Sequence, residues 1–206
     1  LCNNTIGSFN TAIGRKALIC NTTGGCNTAV GNSALHDNTT GIFNTAVGQS
    51  SLNKNTIGKC NVAVGSQAMQ CNTTGERNVA VGLDSLRLNT TGSNNIALGY
   101  QALNNNTQSS IIAIGSCAGH SNTTGAQNTI LGNFALRDNT TGNFNIAIGN
   151  LALDKNTTGL NNIAIGYQAN TSAVTAINVT AIGCRALCAN LTSSHVAIGS
   201  NALLAN

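Results

Sequence analysis

Residues 27–48 read NTAVGNSALHDNTTGIFNTAVG, a stretch whose first five residues return unchanged 17 positions later. A glycine recurs at that spacing from Gly14 to Gly199, with 16-residue steps only into Gly115 and Gly199. We number the positions of each repeat 1 to 17, so that this glycine is repeat position 17. A unit this short cannot bury its own apolar side chains, and the fixed period therefore indicates a solenoid of stacked coils.

The NTAVG segment predicts one short β-strand per coil, because β-branched residues alternate with small ones and the frequent Gly and Asn oppose a helix. A second short strand is predicted at the Ala-Leu pair of repeat positions 3 and 4, exemplified by Ala34 and Leu35. The Asn-Thr-Thr-Gly tetrad is predicted to be a turn whose glycine adopts a left-handed conformation. The predicted fold class is all-β: a parallel β-solenoid of about twelve 17-residue coils, roughly 58 Å long at about 4.8 Å per coil.

The period is unbroken, and we therefore predict a single repeat array over residues 1–206. Because the pattern begins and ends in mid-repeat, we expect a segment of a longer array or of an end-to-end stack. The net charge of +4 comes from scattered residues and no run of 18 apolar residues occurs, so neither a nucleic-acid partner nor membrane insertion is predicted.

Charged residues occur only at repeat positions 1, 2, 5, 6, 11 and 12, which are predicted to be the solvated corners of each coil. The strand positions 13 to 17 carry no charge. One face of the strand must fill the lumen, and the other is predicted to be a charge-free face of Ala and Gly, such as Ala29 and Gly31. A second copy of the chain is the expected cover for that face, and an exposed flat face is the alternative.

The motif Asn-x-Ala-Ile/Val-Gly, followed by x-x-Ala-Leu, is well formed at residues 145–153. It resembles the head repeats of trimeric autotransporter adhesins, the YadA-like family, and related repeats of bacterial and phage fibres. The resemblance covers nearly the whole chain and implies a left-handed parallel β-roll, with three chains side by side, that projects from a surface and binds a host or matrix partner. The chain departs from those heads in its longer repeat and in its cysteines.

Eight cysteines in a chain of low charge suggest an oxidising, extracellular or cell-surface location. Their spacing suggests three disulfides, although a Cys2–Cys20 bridge is an open alternative. Cys184 and Cys188 with His195 lack the paired spacing of a structural zinc site, so no metal or cofactor is predicted. The candidate disulfide pairs are Cys20 with Cys26, Cys60 with Cys71, and Cys184 with Cys188.

Asparagine recurs at two repeat positions. At position 13 we predict a structural ladder of stacked amides. At position 7 the same ladder competes with N-glycosylation, since Asn-Thr-Thr is an acceptor sequence. The candidate glycosylation sites are Asn21, Asn38, Asn72, Asn89, Asn122, Asn139 and Asn156.

Threonine forms a column at repeat position 8. Regular threonine columns on β-solenoids bind ice, and these residues are a candidate interaction face, whereas turn chemistry is the simpler interpretation. The residues are Thr22, Thr39, Thr56, Thr73, Thr90, Thr107, Thr123, Thr140 and Thr157.

The three histidines lie in different coils and only five acids are present, so no catalytic residue and no enzyme activity are predicted. The expected function is that of a structural, self-associating rod: an extracellular fibre or surface adhesin segment forming a homo-oligomer or filament. An ice-binding solenoid is the alternative, and a phage or viral fibre segment ranks third.

Overall fold

The structure, a computed structural model, describes residues 2–189 and 193–204. In these residues twelve three-residue strands, one per coil, form a single parallel sheet in chain order, and no helix is present. The predicted parallel β-solenoid is confirmed, with eleven turns between the first strand and the last. Strands β1 to β12 are Thr11–Ile13, Thr28–Val30, Thr45–Val47, Val62–Val64, Val79–Val81, Ile96–Leu98, Ile112–Ile114, Thr129–Leu131, Ile146–Ile148, Ile163–Ile165, Thr180–Ile182 and Val196–Ile198.

The coils stack in register, so that equivalent residues are neighbours along the rod. Ala46 pairs with Ala63 one period later, and Gly65 N donates to Val47 O at 2.8 Å. The 16-residue coil before Gly115 keeps this register, because the missing residue falls in the turn and not in the strand. The second short coil, which ends at Gly199, includes residues 190–192 and lies partly outside the described residues.

The core is a thin column of small side chains around one larger one. Repeat positions 3 and 15 are mostly alanine and position 4 is mostly leucine, and all three positions are almost completely buried through the middle of the rod. The predicted direction of the strand faces is therefore wrong. Ala29 points into the lumen, while Thr28 and Val30 on either side of it point outward. A lumen already occupied by leucine has room for Ala but not for Val or Ile at most coils.

The predicted second strand is also wrong, because the Ala-Leu residues lie in a turn. Leu35 has a φ of +49°, and its equivalents are similarly left-handed, which no strand residue adopts. The Leu35 N–H nevertheless donates to Ser51 O of the next coil at 3.0 Å. A left-handed leucine costs about 1–2 kcal/mol, and complete burial of its side chain contributes about 1.5–3 kcal/mol in return.

In one coil the large and the small core residues exchange positions. Gly119 stands at position 4, where most coils have leucine, and Ile130 stands at position 15, where other coils have alanine. A Cβ built on Gly119 would lie 2.7 Å from Ile130 Cδ1, so the isoleucine occupies the space that the missing leucine leaves. The two substitutions compensate within one coil and keep the lumen filled.

Candidate functional sites

The asparagines of repeat position 7 form a buried hydrogen-bonded ladder. Asn38 Nδ2 donates to Asn21 Oδ1 of the preceding coil at 2.8 Å and to Gly41 O of its own turn at 3.1 Å. Both amide hydrogens are used, and the side chain is fully buried. A glycan on Nδ2 would replace one of these hydrogens and would have no path to solvent. The folded solenoid therefore does not support N-glycosylation at Asn21, Asn38, Asn72, Asn89, Asn122, Asn139 or Asn156, all of which are buried.

The asparagines of repeat position 13 form the second ladder, as predicted. Asn44 Nδ2 donates to Gly58 O in the next coil at 2.8 Å, and Asn44 Oδ1 accepts from Asn61 N at 3.0 Å. The same glycine carbonyl accepts from Asn55 of position 7 at 3.0 Å. The two asparagine columns thus converge on the glycine of repeat position 10.

That glycine is required for close approach and not for a left-handed backbone, which corrects the sequence expectation. A Cβ on Gly58 would lie 2.6 Å from Gly75 O and would also overlap Asn55 Oδ1. The coil of residues 167–183 replaces the whole unit at once, with alanine or valine at the asparagine and glycine positions: Ala173, Ala176 and Val179. The 16-residue coil that ends at Gly115 also lacks the position 10 glycine and has Ile111 at position 13, but it keeps Asn106 at position 7, so the glycine and the position 13 asparagine are lost together in both coils.

The threonines of repeat position 8 do form a surface column, with their hydroxyls directed along the rod. Thr22 Oγ1 donates to Thr39 O of the next coil at 3.0 Å, and Thr39 Oγ1 repeats the contact with Thr56 O at 3.0 Å. This bond fixes each hydroxyl in one orientation. Equivalent hydroxyl bonds are made by Thr56, Thr73, Thr107, Thr123, Thr140 and Thr157.

All eight cysteines are free thiols, so the predicted disulfides are not formed. In-register stacking places each residue beside the same repeat position of the adjacent coils, and no two consecutive coils carry cysteine at one position. Cys26 and Cys60 do share position 12, but they are two coils apart with Phe43 between them. The candidates Cys20, Cys26, Cys60, Cys71, Cys184 and Cys188 are all unpaired, as is the alternative Cys2.

The stacking instead assembles a group that the sequence reasoning missed. Cys20 at position 6 lies beside His36 and Asp37 at positions 5 and 6 of the next coil, and one ligating atom from each residue lies within 4.8 Å of the other two. His36 Nδ1 and Asp37 Oδ1 are 2.5 Å apart. Comparing columns 17 residues apart would have found this group, since Cys20 and Asp37 share a repeat position. It is the only such group of metal-ligating side chains in residues 2–189 and 193–204.

Four charged side chains at the same corner form an ion-pair cluster farther along the rod. Arg137 Nε lies 2.9 Å from Asp138 Oδ1 and 3.2 Å from Asp154 Oδ1, and Lys155 Nζ lies 3.0 Å from Asp138 Oδ2. Burial would raise the pKa of Asp138, but the hydrogen bonds from Arg137 and Lys155, with their charges, outweigh it and lower that pKa. The more deeply buried Asp154 has a raised pKa, because its desolvation exceeds the attraction of the same two cations.

We therefore expect Asp138→Asn and Asp154→Asn to change stability in opposite directions at neutral pH. The lowered pKa of Asp138 means that its ionised form stabilises the fold, and this contribution is lost as pH falls through its folded pKa. The raised pKa of Asp154 means that its ionised form destabilises the fold, so Asp154→Asn should increase the free energy of unfolding at neutral pH. The effect at Asp138 should stay below about 1 kcal/mol because that carboxylate is partly hydrated.

Urea unfolding of both variants and the unchanged chain, at neutral pH and again below pH 3, measures these differences. As pH falls through the lowered folded pKa of Asp138, the stability difference between Asp138→Asn and the unchanged chain should shrink, because the protonated carboxyl is neutral like the amide. Equal destabilisation by both variants at neutral pH would contradict the assignment.

The outward face of the sheet consists of repeat positions 14 and 16. Position 14 carries Thr, Val or Ile and position 16 carries Val, Leu or Ile in every strand, with no charged residue at either. The face stays accessible through the middle of the rod, where Ile112 and Ile114 are each 39% exposed. An unbroken apolar column at position 16 and a mixed column of Thr, Val and Ile at position 14 thus run along the whole described sheet. Together we call them the outer sheet face.

The part of the chain that the structure describes contains no concave pocket and no helix that could cross a bilayer. Comparisons with protein-family models, with curated proteins and with solved structures each found no match.

Proposed function

We propose that the chain is a rigid structural segment of an extracellular fibre or surface adhesin, and that copies associate through the outer sheet face. The observation that carries the proposal is the charge-free outer sheet face, in which position 16 is Val, Leu or Ile in all twelve strands and position 14 is Thr, Val or Ile. Charge is confined to the corners, so the outer sheet face can be desolvated without burying an ion.

A second copy of the chain is the partner that fits this face best. Its own outer sheet face has the same composition and the same spacing of about 4.8 Å between successive side chains. Side-chain columns at equal spacing can interdigitate along the entire contact, and each added coil extends the buried area. A partner with an irregular surface would match only a few coils.

Stiffness is the mechanical property that the fold supplies. Strand hydrogen bonds tie each coil to the next from β1 to β12, and most coils add the two asparagine ladders and the threonine hydroxyls, all directed along the rod. Repetition of identical faces adds avidity, because weak contacts on successive coils act together. A host or matrix surface is the external partner that the adhesin resemblance implies.

The test is the molecular mass in solution, measured by sedimentation velocity over a range of concentrations. The unchanged chain should sediment as a multiple of its 20.8 kDa mass. The double variant Val81→Lys with Ile114→Lys should sediment as a monomer, because both side chains are already accessible and the lysines would be buried only in the assembly.

Thr91→Lys is the matched control, since it adds a cation at an exposed turn away from the outer sheet face. It should leave the assembly intact, and circular dichroism should show the same fold for all three proteins. A monomeric unchanged chain, or an assembly that tolerates both lysines, would overturn the proposal.

Ice binding is the second candidate, favoured by the fixed hydroxyls of the position 8 threonines. A gap between melting and freezing points would support it if Thr73→Lys with Thr140→Lys abolished the gap while Val81→Lys with Ile114→Lys preserved it. That result would place function on the threonine column and count against the outer sheet face.

A further inference from the structure

The cluster of Cys20, His36 and Asp37 joins two consecutive coils near the start of the rod. The backbone fixes its geometry: Cys20 N donates to His36 O at 3.1 Å, and Asp37 N donates to Asn53 O at 2.9 Å. One donor atom of each side chain lies within 4.8 Å of the others. We propose that these three side chains bind a divalent metal ion of intermediate softness, with zinc as the best fit.

The donor set selects this class of metal. A thiolate, an imidazole and a carboxylate are the three ligand types that zinc accepts, whereas calcium and magnesium require several oxygen donors and the cluster offers a single carboxylate. Zinc bonds of about 2.0–2.3 Å at tetrahedral angles place ligand atoms about 3.3–3.8 Å apart. The observed separations reach that spacing by side-chain rotation, and the metal would replace the direct His36–Asp37 contact.

The proposed site is accessible to solvent and has one open coordination position. All three side chains are partly exposed, so an ion can enter without unfolding of the coil. Three protein ligands leave one tetrahedral position for water or for a donor from another molecule, which is the arrangement of an open zinc site.

Cobalt(II) is the probe that reports this chemistry directly, because thiolate ligation gives an intense near-ultraviolet charge-transfer band and tetrahedral geometry gives visible absorption. Titration of the reduced, full chain with Co²⁺ should saturate at one tight equivalent, and Zn²⁺ should bleach both signals. An excess of Mg²⁺ or Ca²⁺ should leave them unchanged.

Cys20→Ser should remove the charge-transfer band. His36→Gln should weaken Co²⁺ affinity at least as much as the roughly 10–100-fold loss seen when an outer-shell partner of a metal ligand is removed. Cys71→Ser is the matched control: Cys71 occupies the same repeat position, is also partly exposed, and belongs to no such cluster in the described residues.

That control should bind Co²⁺ as the unchanged chain does, and circular dichroism should show that all variants remain folded. A charge-transfer band that survives Cys20→Ser would overturn the proposal by assigning the signal to other thiols. Equal loss in Cys20→Ser and Cys71→Ser would do the same, as would the absence of saturable binding at one equivalent.

Discussion

Replacing Gly82 by alanine is expected to unfold the solenoid around the middle coils, at a cost of about 4 kcal/mol or more, which is exceptional for one methyl group. Gly82 has a φ of +133°, a conformation that costs other residues on the order of 1–3 kcal/mol. The added Cβ would also lie 2.7 Å from the carbonyl carbon of Gly99 in the next coil. Backbone atoms cannot rotate away as a side chain can, so the two coils must separate. Urea unfolding followed by circular dichroism measures the loss.

Gly25→Ala is the matched control, because Gly25 lies outside the repeated glycine positions and its nearest contact, Ser8 O, is 3.1 Å from the added Cβ. Its unfolding midpoint should change little. Gly92→Ala separates steric overlap from backbone strain, since Gly92 is crowded but not left-handed. Its loss of stability should lie between those of Gly82→Ala and Gly25→Ala. Equal midpoints for Gly82→Ala and Gly25→Ala would show that the coils are not stacked in this register.

The period alone predicted the part of the fold that depends on stacking. A 17-residue unit that cannot bury its own leucine must place that leucine beside its equivalent, so the adjacency of Gly48 and Gly65 followed from the sequence. The same reasoning predicted the position 13 ladder, because an amide stacked on an amide can donate and accept along the axis.

The direction of the strand faces could not be predicted in the same way. Alternation separates Ala46 from Thr45 and Val47 but does not say which set is inside, since all three tolerate burial. The choice depends on the width of the lumen, which Leu35 and the buried asparagines set across the coil. The Ala-Leu turn was missed for a related reason: a left-handed leucine is unfavourable locally and is stabilised by burial that only the stacked coil provides.

The candidate metal group was hidden because the cysteines were compared with one another along the chain. Disulfide reasoning seeks a second cysteine, and none occupies the neighbouring coil at the same position. The relevant neighbour of Cys20 is Asp37, which the repeat numbering places beside it. Searching each repeat position in adjacent coils for different metal-ligating residues, and not only for a second cysteine, would identify this group from the sequence.

The second large effect is expected from Asn72→Asp, an exchange of one nitrogen for one oxygen in the buried ladder. Asn72 Nδ2 donates to Asn55 Oδ1 at 2.8 Å and to Gly75 O at 3.1 Å. A carboxylate there would face two acceptors and would carry a buried, uncompensated charge, which costs about 3–5 kcal/mol. The pKa of this aspartate would rise above its unfolded value. The loss of stability relative to the unchanged chain should therefore shrink as pH falls through the folded pKa. Urea unfolding at pH 7 and near pH 4 checks both statements.

The free energy of unfolding of Asn72→Ala should lie between that of Asn72→Asp and that of the unchanged chain. A natural break in the ladder shows the reason. Where the ladder ends naturally at Ala173, the buried Asn156 Oδ1 is left without a hydrogen-bond partner. Asn72→Ala creates the same orphan at Asn55 Oδ1, whereas Gly75 O keeps the bond from Asn61 at 2.8 Å. Asn89 Nδ2, which donates to Asn72 Oδ1 at 3.0 Å, also loses that partner. Each unsatisfied neutral group costs about 1–3 kcal/mol, with no dependence on pH in this range. If the aspartate variant were no less stable than the alanine variant at pH 7, the amide donors would not face these oxygens and the ladder would be disproved.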